Sequence, residues 1–265
     1  SPSLPVTEMW REAVSLDVWN TLLSTDRFFE KVSNHLALEL GKPVDLVMNA
    51  MLKAYKRVKA MRVRGEVDVN DVVGHSVRVL VEELGPPAHE EHVRRALART
   101  VVQEDLDDLV VDDSIQVLSK IKAKRAILVV VSNVTFWPGS YTRLVLERLG
   151  FSELVSAQVY ADEIRCLKPD PRAFMRAENA IRMLGFKARV GVHVGDDFRE
   201  DFLGALSAGL KAILVDRAGV YGHRGEVLGG RGYVVGNLHQ AADLLLKMTS
   251  KTHGDLPAFS DAAPL

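Results

Sequence analysis

Residues 15–22 read S-L-D-V-W-N-T-L. A short apolar run, Ala13, Val14 and Leu16, ends in the acid Asp17, and the chain then turns through Trp19 and Asn20. Taken alone, Asp17 is an ordinary turn acid or helix cap. Its meaning depends on whether similar runs elsewhere also end in polar residues. From residue 112 they do. The β-branched runs Ala126–Val131, Ala157–Tyr160, Val190–Val194 and Ala212–Val215 alternate with amphipathic stretches at about 113–124, 138–149, 171–185 and 199–208. This alternation predicts a parallel sheet covered by helices on both faces. The run before Asp17 is one more strand of that sheet, and a weaker strand, Tyr233–Val235, and helix, Leu238–Met248, follow.

Between Asp17 and the next strand the texture is helical. Val47, Ala50, Met51, Ala54, Val58 and Met61 recur at helical spacing, and Val69, Val72, Val73, Val77, Leu80 and Leu84 repeat the pattern. Four helices are expected, at roughly 27–40, 43–63, 69–84 and 88–103. Residues 8–25 and 106–250 then form the α/β core and 26–105 a helical insertion, with 1–7 and 251–265 as flexible tails.

Ligands of open parallel sheets bind beyond the carboxyl ends of the strands. Four such ends carry polar residues: Asp17 in D-V-W-N-T; Ser132 and Asn133 in V-V-V-S-N-V; Lys168 in L-K-P-D-P; and Asp196, Asp197 and Asp201 in V-H-V-G-D-D-F-R-E-D-F. Each has a plain reading as a cap or surface group. The acids of the last motif repel one another unless a cation compensates them. The order carboxylate, hydroxyl, lysine, acidic cluster resembles the haloacid dehalogenase-like hydrolase superfamily, and the continuation G-A-L-S-A-G-L-K-A-I-L-V is similar to it as well. The helical block lies where that family inserts a cap.

The resemblance implies a Rossmann-like core with an all-helical cap and a catalytic set of Asp17, Ser132, Lys168 and Asp201. Asp17 is then the nucleophile, forming an aspartyl intermediate. Ser132 holds a substrate oxygen, and Asp201 orients Lys168. Mg²⁺ is the expected cofactor, bound by Asp17, the backbone carbonyl of Trp19 and Asp196, with Asp197 assisting through water. Thr21, Asn133, Trp19, Phe136 and Trp137 are the expected substrate-binding set.

One departure stands out. Phosphatases of this family carry an acid two residues after the nucleophile, where this chain has Trp19. That acid contributes roughly 10²–10⁴ in rate. Dehalogenases of the family lack it, because halide leaves without a proton; they also lack metal and have a less acidic last motif. The acidic motif favours a Mg²⁺-dependent phosphatase of a small phosphorylated metabolite. A metal-independent 2-haloacid dehalogenase and a catalytically poor metabolite-binding protein remain as alternatives. Asp162, Glu163 or a cap residue is a candidate for the missing acid.

Composition bounds the rest. The chain has 265 residues, 47% of them apolar, and a net charge of −1, so nothing favours nucleic acid or an anionic membrane as partner. No run approaches a membrane span, the first residues lack a signal-peptide pattern, and the one cysteine, Cys166, suits a reducing cytoplasm. The basic residues from Lys53 to Arg64 read as a solvated helix face whose place in the insertion also permits a role toward an anionic substrate, with Lys53, Arg57 or Arg62 the candidate cation for the dehalogenase alternative, and His193 reads as a core residue.

Overall fold

Alternating side chains of the central strand set the two-faced architecture. In the computed structural model, which describes residues 11–251, strand β1 (Arg11–Leu16) pairs in parallel with β2 (Ile127–Ser132) on one side and β4 (Ala188–Gly195) on the other. With β3 (Ala157–Tyr160), β5 (Lys211–Val215), β6 (Gly225–Val227) and β7 (Gly232–Val235), the sheet order is β3-β2-β1-β4-β5-β7-β6. Every pairing is parallel except β6 with β7. Val14, Leu16, Leu128 and Val130 pack on one face, while Ala13, Ile127, Val129 and Val131 pack on the other against Ala173, Ala177 and Ile181. This is the period-2 alternation of a strand buried on both sides.

The intervening helices are α1 (Thr25–Leu40), α2 (Val44–Val63), α3 (Val72–Leu84) and α4 (Glu90–Gln103), all between β1 and β2. Then come α5 (Ser114–Ala123), α6 (Gly139–Leu149), a short α7 (Ala161–Ile164), α8 (Pro171–Met183), α9 (Gly204–Ser207) and α10 (Leu238–Lys251). Helix α1 begins where the Ser24 hydroxyl accepts from the Arg27 amide at 3.2 Å. It ends at Gly41, whose φ of 61° terminates it in the left-handed region. Phe28, Phe29, Val32, Leu36 and Leu40 form its buried stripe. Contacts of α1 with α4 and of α2 with α3 make the four helices one layered unit above the strand ends. This is the Rossmann-like α/β core with a helical cap that the sequence predicts.

Three details differ from the expectation. The third helix starts at Val72, because Asp68 turns the preceding chain by accepting from the Asn70 amide at 2.9 Å. The stretch expected as one helix after β4 is a π-helical turn, Phe198–Leu203, followed by α9. The antiparallel edge strand β6 has no sequence counterpart, since three residues beside several glycines carry no periodicity. The expected tails, 1–7 and 251–265, lie outside the described residues except for Lys251, which ends α10.

Candidate active site

Asp17 continues the ladder beyond β1, its amide donating to the Val194 carbonyl at 2.9 Å. The chain then coils back. Leu22 N–H donates to the Val18 carbonyl at 2.7 Å, and Asn20 takes a left-handed φ of 63°, a conformation asparagine tolerates. The Asn20 side chain accepts from the Thr25 amide at 3.1 Å, tying this turn to the start of α1. The motif D-V-W-N-T is therefore a compact turn leading from Asp17 into the cap.

Lys168 reaches the same point from the loop after α7. Its ammonium is buried and donates to Asp17 Oδ1 at 3.1 Å, Asp201 Oδ1 at 2.6 Å and the Val131 carbonyl at 2.8 Å. All three of its protons are used. Asp201 comes from the π-helical turn and also accepts from the Asp197 amide at 3.0 Å and from His193 Nε2 at 2.8 Å. A carboxylate only accepts, so His193 carries its proton on Nε2, and its Nδ1 accepts from the Ser15 hydroxyl at 2.7 Å. Burial holds His193 below its ordinary pKa and keeps it neutral. It is a core residue as expected, but one that orients Asp201. Gly195 is required here: a Cβ at that position would collide with the Asp201 carboxylate.

Asp196 completes a group of three acids. One oxygen each of Asp17, Asp196 and Asp201 lie within 4.8 Å of one another. The Thr21 hydroxyl bridges two of them, at 3.4 Å from Asp17 and 3.5 Å from Asp196. Burial pushes Asp17 up to about 6 against the attraction of Lys168. Burial and the charges of Asp17 and Asp201 push Asp196 well above the usual carboxylate range. Asp201 is held below that range: burial opposes its charge, but Lys168 and His193 outweigh it. The group thus has one lysine for three carboxylates, and the lysine is committed to two of them. An all-oxygen donor set short of positive charge suits a hard divalent cation.

The cap supplies the opposite wall. On α2, Tyr55, Lys59 and Arg62 are spaced four and three residues apart and share one face. Lys59 Nζ lies 2.5 Å from Asp197 Oδ2 and 3.2 Å from Glu200 Oε1. Arg62 is buried, pairs with Glu200 Oε1 at 3.0 Å, and donates to the Val134 carbonyl and to the Thr135 hydroxyl. Burial opposes the charge on Glu200, but Arg62 and Lys59 outweigh it and hold its pKa low. Lys59 is likewise raised by these carboxylates over the opposition of burial. The expected solvated basic face is corrected at these two positions, where the acids of the core draw the side chains inward. Lys53 stays exposed, and Arg57 pairs with Glu82 and Glu83 on α3.

Asp17, Ser132, Lys168, Asp196 and Asp201 meet around one cavity of about 50 Å³, with Trp19 and Trp137 forming an aromatic wall. The ring centroids of Trp19 and Trp137 are 5.0 Å apart, and both indole N–H groups donate to Thr142 Oγ1 at 3.2 Å. Four expected roles change. Thr21 does not line the cavity; its hydroxyl faces the Asp17 and Asp196 carboxylates instead. Asp197 stands outside the three-acid group. Its Oδ1 caps the π-helical turn through the Arg199 and Glu200 amides, and its Oδ2 meets Lys59. Phe136 does not line the cavity; it is buried against Phe29, 5.9 Å between centroids. Asn133 does line it, but its amide is occupied. Oδ1 accepts from the Lys168 amide at 2.8 Å, and Nδ2 donates to the Lys168 carbonyl and to Glu200 Oε2, each at 3.0 Å. Asn133 therefore positions Lys168.

Neither core candidate for the missing acid reaches the cavity. Asp162 accepts from the Gly139 amide at the start of α6, and Glu163 pairs with Arg143. Of the residues considered as cap cations, Arg62 lines the cavity and Lys53 and Arg57 do not, while Thr25, Tyr55, Lys59, Val134, Thr135 and Glu200 line it without having been singled out by the sequence. The shared helical face of 55, 59 and 62 was the available signal.

Comparison with known proteins agrees with this geometry. Residues 12–209 match the haloacid dehalogenase-like hydrolase family. A 71-residue stretch is 44% identical to the glyceraldehyde 3-phosphate phosphatase of Methanothermobacter thermautotrophicus; it covers 27% of this chain and only 30% of that relative. Among solved structures, the magnesium-bound HAD-hydrolase YfnB of Bacillus subtilis superposes with a TM-score of 0.66 at 16% identity, covering 89% of this chain and 99% of that one. The L-2-haloacid dehalogenase of Xanthobacter autotrophicus gives 0.62 at 16% identity over 90% and 99%. An HAD phosphatase of Thermococcus onnurineus gives 0.54 at 24% over 88% and 97%. These likenesses show the shared fold. No helix among the described residues is long and apolar enough to cross a membrane. With its matched span covering most of the sequence, the chain belongs to the haloacid dehalogenase-like hydrolases.

Proposed function

We propose that this hydrolase is a Mg²⁺-dependent phosphatase of a small phosphorylated metabolite. The observation that carries the reading is the surplus of carboxylate over cation at Asp17, Asp196 and Asp201. Asp196 has no ion-pair partner among the described residues, and burial together with the charges of Asp17 and Asp201 disfavours its charged form. A divalent ion relieves that repulsion. Asp17 and Asp196, with the Trp19 carbonyl that the family pattern adds, are the residues that would hold it. When bound, it supplies the charge neutralisation that lets one anion approach another.

In this reading an Asp17 oxygen attacks phosphorus, the bond to the leaving oxygen breaks, and water hydrolyses the aspartyl phosphate. Lys168 offsets charge on the carboxylate and the incoming phosphoryl group, and Asp201, fixed by His193, holds Lys168 in place. Ser132 lies buried at the end of β2, beside the cavity, to receive a phosphoryl oxygen. The partial relative acting on a triose phosphate supports a small substrate.

Trp19 favours a second reading, a 2-haloacid dehalogenase, because its indole cannot protonate a leaving alcohol. Such an enzyme needs a cation free to hold the substrate carboxylate. The cavity-lining cations Lys59, Arg62 and Lys168 are all paired with acids, so the phosphatase reading has the better support. Phosphate release from a panel of phosphorylated metabolites tests it. Activity is expected with Mg²⁺, none in EDTA, and a loss on the order of 10⁴-fold or more in Asp17→Asn. Full activity in EDTA, or halide release from 2-chloropropionate without metal, would reject it.

A further inference from the structure

The proposed reaction lacks a proton donor, because Trp19 stands where the acid would be. Most polar groups on the cavity walls are already engaged. Asp17 attacks, Asp196 would hold the metal, and Asp201 is bonded to Lys168 and His193. Against burial, Arg62 and Lys59 hold Glu200 ionised. Lys59 and Lys168 are each paired with two carboxylates. Both indoles donate to Thr142. The hydroxyls of Thr25, Ser132 and Thr135 are aliphatic, so they are no more acidic than the alcohol that leaves.

Tyr55 of α2 is different. Its ring meets Phe29 edge-on, with centroids 5.5 Å apart, and Lys59 Nζ lies 6.0 Å from its centroid. Its hydroxyl makes no hydrogen bond to a described residue. Yet it is not one of the buried orphan atoms, which are Thr25 Oγ1 and Arg62 Nε. The half-buried Tyr55 therefore presents an accessible phenol. The charges that act on this phenol are those of Lys59, Arg62, Glu200 and Asp196, and all four side chains line the cavity. An accessible hydroxyl set among these groups is open to the cavity. Burial pushes Tyr55 up to about 12 over the opposing pull of Lys59 and Arg62, so it keeps its proton at neutral pH. A phenol is still more acidic than an alkyl alcohol, and the same two cations favour the phenolate that donation leaves.

We propose that the Tyr55 hydroxyl protonates the leaving oxygen of the substrate, in place of the acid absent at Trp19. This rests on the phosphatase reading above. Attacking and leaving oxygens lie roughly in line on phosphorus, so the alcohol departs on the side away from Asp17, toward the cap. As the bond from Asp17 to phosphorus forms, the bond to the leaving oxygen breaks. Its electron pair stays on that oxygen, and the Tyr55 proton passes to it. The alcohol leaves, and a phenolate remains beside Lys59 and Arg62. Water then enters from the vacated side. The phenolate takes its proton as the water oxygen bonds to phosphorus, the bond to Asp17 breaks with its electrons returning to the carboxylate, and phosphate leaves. The phenol is restored.

The test is Tyr55→Phe in the full chain with Mg²⁺, read by single-turnover release of the leaving group from glycerol 1-phosphate and from para-nitrophenyl phosphate. Nitrophenolate departs as a stable anion and needs no proton. Release of glycerol is expected to slow by about 10²-fold or more, and release of nitrophenolate by less than about threefold. Steady turnover of the nitrophenyl ester falls as well, because hydrolysis of the aspartyl phosphate loses its base. Nitrophenolate therefore appears as a burst equal to the enzyme. A merely structural tyrosine would slow both esters alike and give no burst. Equal slowing of the two esters, or no slowing of either, overturns the role of Tyr55 and leaves the phosphatase reading standing. The variant keeps the ring and loses no hydrogen bond, so it is expected to melt within about 2 °C of the wild type. A larger fall would show that the hydroxyl is bonded in the fold, and it overturns the role too. No phosphate release from any ester, with or without Mg²⁺, overturns both.

Discussion

Two charge networks lie side by side at the strand ends, and they are built differently. The inner one joins Lys168 to Asp17 and Asp201, with Asp196 beside them. Its members come from three strand ends of the core, and acids exceed bases. The outer one joins Lys59 and Arg62 of α2 to Asp197 and Glu200 of the core. It bridges the helical unit and the sheet, and its charges balance. A balanced buried network satisfies itself and holds two layers together. In the proposed function a further cation completes the unbalanced one. That reading puts the chemistry at the inner network, while the outer one fixes the wall that faces it.

The largest test of this contrast is Lys168→Met. It leaves Asp17 and Asp201 buried without their cation, and removing one partner of a buried pair costs about 3–5 kcal/mol. Denaturant melts of the metal-free protein at neutral pH measure the loss. A loss under about 1 kcal/mol would mean that Lys168 is not the counter-charge holding the inner acids.

Glu200→Gln breaks the outer network and has a smaller expected effect, roughly 2–3 kcal/mol. The new amide keeps its oxygen as the acceptor for Arg62 and Lys59, without the charge, and turns its NH₂ toward the Asn133 NH₂, donor against donor. Its pH signature follows from sign. The folded pKa of Glu200 is below its unfolded value, so its contribution is fully present above the ordinary glutamate range and is lost as pH falls through the lowered folded value. The stability gap between wild type and Glu200→Gln is therefore expected to narrow as pH drops below about 4.5, the ordinary glutamate value. A gap that stays constant from pH 7 to pH 3 would show that the Glu200 charge adds nothing to the bridge.

The same contrast explains what could be read from sequence. Asp17, Ser132, Lys168, Asp196 and Asp201 were legible because each follows a strand or its loop, and a parallel sheet carries all such ends to one edge. The cap contributions were not. Lys59 and Arg62 sit among other basic residues on one helix, and only the tertiary approach of Asp197 and Glu200 distinguishes them from Lys53 and Lys56. Thr25 carries no signal in the sequence, since nothing local marks its hydroxyl as unpartnered. Asp197 misled for the opposite reason. Adjacency to Asp196 suggested a shared role, yet the turn after β4 sends neighbouring side chains apart, one toward Asp17 and one to the amides of the next turn. That Trp19 has no acidic proton to give follows from the residue type alone. Its anchoring on Thr142, shared with Trp137, depends on a residue 123 positions away.

The smallest effect is also the one with the opposite sign. Asp196→Asn removes a carboxylate that burial and the charges of Asp17 and Asp201 disfavour. The metal-free variant is therefore expected to be more stable than wild type at pH 7, since a buried acid whose pKa is raised on folding has its charged form destabilised. The gain should vanish when Mg²⁺ is added. The wild type then rises with ion concentration as a ligand-bound native state does, and the variant does not. Thermal melts of both proteins in EDTA and in millimolar Mg²⁺ measure the crossing. Lower stability of Asp196→Asn in EDTA would show that the inner acids are already balanced, and the distinction between the two networks would fall.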